Sequence, residues 1–294
     1  MKSFSYKLNS IKKTTDLYLK KVLLNKRKRS NLTHPMKYGV FSGGKRFRSA
    51  IIVNTGKIFN IESKKLIIIG SAIECIHAYS LMHDDLPSMD DDDLRRGKPS
   101  AHKKFNEFTA MLAGNSLLTM AFEILSSKDL KLKQNIKIDL INTLSNCSGS
   151  LGLAGGQYSD LTFENKKISK SKIIQMQKKK TGELFSFCCE SVAIIKNLNK
   201  KKRNNLKKIG LNVGLLFQIT DDLIDYKGDV SVVGKPTKSD QKKGKATLVN
   251  LLGYKQTLNF ALELKKKIDN DIIKLGPRTK DLLEAVNFIL KRKF

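Results

Sequence analysis

Tryptophan is absent from this 294-residue chain, and proline occurs only five times. No proline lies between residues 100 and 235. So long a proline-free stretch suits long uninterrupted helices better than a fold of many short strands joined by tight turns. Cysteine is scarce too: Cys75, Cys147, Cys188 and Cys189 show no metal-ligand spacing. Two of them are adjacent within a helical pattern, which argues against a disulfide framework, so a reduced, cytoplasmic protein is expected. Long apolar runs are missing as well. The clusters at 51–53 and 66–69 fall far below the roughly 20 residues that span a bilayer. The polar, Lys-bearing N-terminus has no signal-peptide core, so neither export nor stable membrane insertion is expected. Acidic residues are outnumbered, 27 Asp+Glu against 56 Lys+Arg, for a net charge of +29. An excess of that size is the usual footprint of a nucleic-acid or anionic-surface partner. Only nine of the cations are Arg, however, and the lysines are scattered among abundant Asn and Ile. That is the pattern of compositional drift, and no nucleic-acid partner is expected.

What the chain does have is apolar spacing of three and four residues through most of its length. It predicts helices over 4–29, 35–59, 62–84, 103–126, 134–161, 169–195, 202–226, 240–252, 254–274 and 278–292. No Gly, Ser or Pro linker divides them, so a single all-α domain over 1–294 is expected. No nucleophile–base triad, P-loop or dinucleotide fingerprint appears.

Two acidic clusters stand at the ends of apolar helices. The first is Asp84-Asp85-Leu86-Pro87-Ser88-Met89-Asp90, continuing through Asp93. Residues six apart lie about 240° apart on an ideal helix, so Asp84 and Asp90 share no face there. Pro87 breaks the helix and lets the chain turn Asp90 back. In the second cluster Asp221 and Asp225 are i and i+4, neighbours on one face, with Phe217 and Gln218 one turn earlier. Carboxylates gathered at a helix C-terminus oppose its dipole and want a counter-charge. Oxygen-only sets without His or Cys suit Mg²⁺, with the remaining positions left to water and phosphate.

Cations accompany both clusters. Gly43-Gly44-Lys45-Arg46-Phe47-Arg48 suits a diphosphate through backbone approach and Arg forks. Arg95-Arg96-Gly97-Lys98 follows the first acidic cluster directly. Lys180 and Thr181 fall on the apolar stripe of their helix, and a Lys there needs an anion or a snorkelling path. Lys178 and Lys179 point away and are expected to be solvated. Lys235 and Lys245 lie downstream of the second cluster, and His77 precedes Asp84 by seven residues.

Together with Gly155-Gly156-Gln157, these residues resemble the trans-isoprenyl diphosphate synthases, closely the bacterial farnesyl diphosphate synthase branch. The two Asp-rich motifs are about 135 residues apart, and the likeness covers nearly the whole chain. The resemblance implies an all-α bundle around a deep central cavity, usually a homodimer. It implies that Asp84 and Asp90, supported by Asp85, hold two Mg²⁺ on an allylic diphosphate, and that Asp221, supported by Asp225, holds a third; Mn²⁺ is an alternative ion. Arg95, Lys180, Lys235 and Lys245 would neutralise that diphosphate. Lys45, Arg48, His77 and Arg96 would bind isopentenyl diphosphate, and Thr181 and Gln218 would face the reacting carbon of dimethylallyl or geranyl diphosphate.

The growing product would run down the helix ending at Asp84. Ser80 is one turn below and Tyr79 five residues back, roughly 6–7.5 Å along the axis. A bulky Tyr79 beside a small Ser80 would floor the cavity early and favour a C15 product over a geranylgeranyl or mixed one. A terpene cyclase would have no use for Lys45, Arg48 and His77, and a basic surface-binding protein would show no turnover. Ser49, Pro236, Ala246 and Val249 depart from the family pattern, and they bear on the segment from 235 to 247 rather than on the carboxylates.

Overall fold

The computed structural model describes residues 3–24, 30–227 and 243–292. The chain divides into two compact units, Met1–Val53 with Ile61–Ile141 and Asn54–Asn60 with Asn142–Phe294. Both are helical, as the spacing predicts.

In the first unit α1 (Phe4–Leu23) starts at Ser3, whose hydroxyl accepts the Tyr6 N–H at 3.3 Å. Its stripe Leu8, Ile11, Thr15, Leu19 and Leu23 is buried at helical spacing. Helices α2 (Thr33–Phe41) and α3 (Phe47–Ile58) replace the single helix predicted over 35–59. The break falls at 42–46, where Gly43 (φ 122°), Gly44 (φ 95°) and Arg46 (φ 51°) leave helical backbone. Helix α4 (Ser63–Asp84) is apolar on nearly every face and forms the core of this unit. Beyond it a two-residue antiparallel pair, β1 (Leu94–Arg95) and β2 (Lys98–Pro99), turns through Arg96 and Gly97 at φ 55° and 72°. Helix α5 (Ala101–Lys104) leads into α6 (Glu107–Ser126), capped by Asn106, which accepts the Thr109 N–H at 2.8 Å.

Ser49 departs from the family pattern yet is fully satisfied. Its hydroxyl meets Thr15 Oγ1 at 2.9 Å and its N–H donates to Glu74 Oε1 at 3.2 Å. Gly70 makes room for it, since a Cβ there would fall 2.9 Å from Ser49 Cβ.

The helix predicted over 134–161 is two, α7 (Gln134–Ser148) and α8 (Leu153–Thr162), separated where Gly149 and Gly152 occur. The second unit continues with α9 (Lys170–Gln177), one wide π turn (Lys178–Gly182) and α10 (Glu183–Ile195). Helix α11 (Lys200–Lys227) packs on α10 backbone to backbone. A Cβ at Gly210 would lie 2.6 Å from Ser186 Cα, and one at Gly214 2.6 Å from Gly182 Cα. Then come α12 (Leu248–Leu252), α13 (Tyr254–Ile273) and α14 (Lys280–Lys291). All four thiols are buried.

The short apolar clusters understated two helices. By length and composition alone α4 and α6 are long and apolar enough to span a membrane, because Ala and Met extend their Ile and Leu residues and charged residues are few. In α4 the richest window is 78% buried, as in the core helix of a soluble protein; in α6 it is 39% buried.

Candidate active site

The chain folds back at the end of α4 as Pro87 requires. The Asp90 N–H donates to the Asp84 carbonyl at 2.9 Å, and the Asp92 N–H to the Asp85 carbonyl at 3.2 Å. Asp84 and Asp90, both half-buried, thus stand at the two ends of one closed turn. Asp85 is different. It is 2% exposed, and burial pushes its carboxyl up against the opposing pull of Arg95. The Arg95 guanidinium forks onto it through Nε (2.9 Å) and Nη2, and Nη2 also reaches Asp92 at 3.1 Å. Asp85 thus holds Arg95 beside the turn that carries Asp84 and Asp90, and Arg95, expected on a diphosphate, is engaged with carboxylates.

The glycine pair 43–44 has a steric purpose. At φ 95° Gly44 adopts backbone that favours glycine, and the Arg96 guanidinium lies against it, 2.7 Å from where a Cβ would fall. Arg46 is drawn inward, to Asp16 at 2.7 Å and Glu74 at 3.9 Å, whereas Lys45 is exposed and Arg48 buried. His77 faces this group. Burial, then the charges of Arg48, Arg96, Arg46 and Arg95, hold its imidazole well below the usual range, so it is neutral at pH 7. Tyr79 lies edge-on to His83, ring centroids 4.8 Å apart, and Ser80 is buried with its hydroxyl on the His77 carbonyl at 3.0 Å.

In the second unit the π turn brings Lys178, Lys179 and Lys180 all to half-buried positions, which corrects the solvated placement expected for the first two. One extra residue in the turn rotates the helical register. Gly156 permits it, for a Cβ there would fall 2.5 Å from Lys180 Cα. Thr181 donates to Gln218 Oε1 at 2.7 Å, and Gln218 Nε2 donates to Asp222 at 2.8 Å. Gln177 Nε2 donates to the other Asp222 oxygen at 2.6 Å, so the Gln218 amide is held in one orientation.

Asp160 went unnoticed in the sequence. It is 7% exposed on α8 and accepts Lys180 Nζ at 2.8 Å and Lys245 Nζ at 3.0 Å on one oxygen. Glu164 takes Lys245 as well, at 2.7 Å. The signal available was the four-residue spacing from Gly156, which puts Asp160 on the face that meets the π turn. Asp221 and Asp225 are half-buried near the end of α11, and Arg292 Nη1 rests on Asp221 Oδ1 at 2.7 Å. Lys235 and Pro236 lie outside the described residues, while Ala246 and Val249 are buried.

Both acidic sets are oxygen-only, and cationic side chains already rest on Asp85 and Asp221, so the donor chemistry fits Mg²⁺. A third group, Asp91, Asp93 and the buried His102, brings one donor atom each within 4.8 Å of the others; Asp93 is also paired with Lys103 at 2.9 Å.

Residues 29–285 match the family model described as polyprenyl synthetase. A farnesyl diphosphate synthase of Escherichia coli is 38% identical over 262 residues, covering 87% of this chain and 88% of that one. The structure of an FPP/GFPP synthase from Zymomonas mobilis superposes with a TM-score of 0.85 at 35% identity, over 97% and 99% of the two chains. A Helicobacter pylori geranyltransferase complexed with magnesium and isoprenyl diphosphate gives 0.81 at 31% identity, over 99% and 97%. The chain belongs to the polyprenyl synthetase family.

Proposed function

We propose that this chain, as one prenyltransferase domain over residues 1–294, condenses isopentenyl diphosphate with dimethylallyl or geranyl diphosphate, releasing diphosphate and forming farnesyl diphosphate. The observation that carries the reading is that each unit holds both an oxygen-only carboxylate set and a set of fixed cations. The similarity to synthases that make farnesyl diphosphate supports it.

Asp84, Asp90, Asp221 and Asp225 would hold up to three Mg²⁺. Bound there, the ions would neutralise charge developing on the allylic diphosphate as its carbon–oxygen bond breaks. Lys180 and Lys245 would exchange Asp160 for the same diphosphate, joined by Arg95 and Lys235. Lys45, Arg48 and Arg96 would clamp isopentenyl diphosphate, and neutral His77 would donate one N–H to it. The Thr181–Gln218–Asp222 chain fixes the amide that would face the allylic carbon. The isopentenyl double bond then attacks that carbon, and a proton leaves to the released diphosphate. No enzyme nucleophile is required. Water has to be excluded, since it would quench the allylic cation to an alcohol.

Tyr79, with Ser80 beside it, would set the floor of the product cavity; its edge contact with His83 keeps the ring along α4. Phe108, Met111 and Leu112, exposed along α6, support a homodimer, and the buried thiols support a reducing, cytoplasmic setting. Incubation with isopentenyl and geranyl diphosphates, with and without Mg²⁺, tests the reading. Mg²⁺-dependent C15 product that is lost in Asp84→Ala supports it. No product at any metal concentration would refute it.

A further inference from the structure

The last turn of α14 ends at Lys291, and Arg292 leaves the helix at φ −59° and ψ 127°. Its guanidinium then makes four contacts. Nη1 donates to Asp221 Oδ1 at 2.7 Å, Nη2 to the Phe217 carbonyl at 3.3 Å, and Nε to the Ile289 carbonyl at 3.2 Å. The carbon at its centre sits 4.0 Å from the centroid of the Phe217 ring. Phe217, Asp221 and Asp225 follow one another at four-residue spacing, so Arg292 lies along the face that presents the second acidic set.

We infer that Arg292 is a resident counter-ion of Asp221 that competes with the divalent metal for this carboxylate. Two carboxylates one turn apart at a helix C-terminus repel each other and the helix dipole. A guanidinium, which keeps its charge at every working pH, relieves that repulsion without a metal. It cannot share the carboxylate cheaply with a divalent cation, because an ion on the remaining oxygen would stand a few ångströms from a fixed positive charge. Metal entry therefore displaces Arg292. The residue is free to yield: the apolar stripe Leu282, Ala285, Val286 and Ile289 anchors α14 before the chain reaches it.

This inference rests on the proposed role of Asp221 as a metal ligand, and the test separates the two. Mn²⁺ binding to the full chain is followed by the electron paramagnetic resonance of the free ion, for the wild type, Arg292→Gln, Lys291→Gln and Asp221→Asn. Lys291 is exposed, and its replacement makes the same change in net charge as that of Arg292. Competition predicts that Arg292→Gln tightens Mn²⁺ binding by about fivefold or more, while Lys291→Gln leaves it near wild type. It also predicts that Arg292→Gln lowers the melting temperature in chelator and that added Mn²⁺ closes the deficit. Unchanged or weaker Mn²⁺ binding in Arg292→Gln, or an equal gain in Lys291→Gln, with binding reduced in Asp221→Asn, overturns the competition alone. Undiminished binding in Asp221→Asn overturns the ligand role as well.

Discussion

Replacing Asp160 by Asn keeps the shape of the side chain and removes the charge that Lys180 and Lys245 share. Lys245 is 8% exposed and keeps Glu164 at 2.7 Å, whereas Lys180 is 24% exposed in its side chain and loses this carboxylate. Breaking a buried ion pair costs about 3–5 kcal/mol. Because Lys180 is partly solvated and Lys245 retains Glu164, about 2–3 kcal/mol is expected here. For a chain of this size that lowers the melting temperature by roughly 5–10 °C. The Asp160 charge that pyrophosphate has to replace would then be gone, while Glu164 stays on Lys245. Pyrophosphate should bind Asp160→Asn more tightly than the wild type, and a tenfold gain adds about 1.4 kcal/mol to the stabilisation at saturating ligand. Thermal denaturation in chelator, with and without inorganic pyrophosphate, reads both effects. The variant should melt lower alone and gain more from the ligand. An equal or smaller gain would mean that Asp160 organises the lysines for the anion instead of standing in its place, and the exchange argument would fail.

Gly156→Ala forces a methyl group against the backbone of the π turn. Overpacking of about 1–3 kcal/mol outweighs the roughly 1 kcal/mol that Ala adds as a helix former. A lower melting temperature is expected together with a kcat loss of about 100-fold from the displaced Lys180 and Thr181, and a variant with normal turnover would sink this reading of the turn. Tyr79→Ala should lengthen the product beyond C15 on chromatography, and an unchanged product would exclude Tyr79 as the floor. His77, depressed in the folded chain and near 6.5 when unfolded, favours folding above pH 6.5 and loses that contribution as pH falls from 6.5 toward its folded value. His77→Gln should therefore flatten the fall in unfolding free energy below about pH 6.5 in denaturant titrations, by at most about 1.4 kcal/mol per pH unit.

How much of this was legible in the sequence depends on the distance over which each signal acts. Helical spacing and the turn at Pro87 are local, and both carried through to the structure. The breaks at 42–46 and after Ser148 were local too, but their glycines admit two readings, a phosphate loop or a helix end, and residue type alone does not choose. The π turn has no composition of its own. It is accommodated by Gly156, more than 20 residues earlier, whose missing side chain lets α8 touch the backbone at Lys180, and so it was invisible to a periodicity fitted within one helix. The same holds for charge. Asp221 and Asp225 announce themselves at i, i+4, whereas the cations that rest on the site's carboxylates come from far away: Lys245 reaches Asp160 across 85 residues, and Arg292 reaches Asp221 across 71. A carboxylate's tendency to attract a cation is thus written in its own helix. Which cation rests on it is written in the packing, and under the proposed exchange that choice would set how readily the site is loaded.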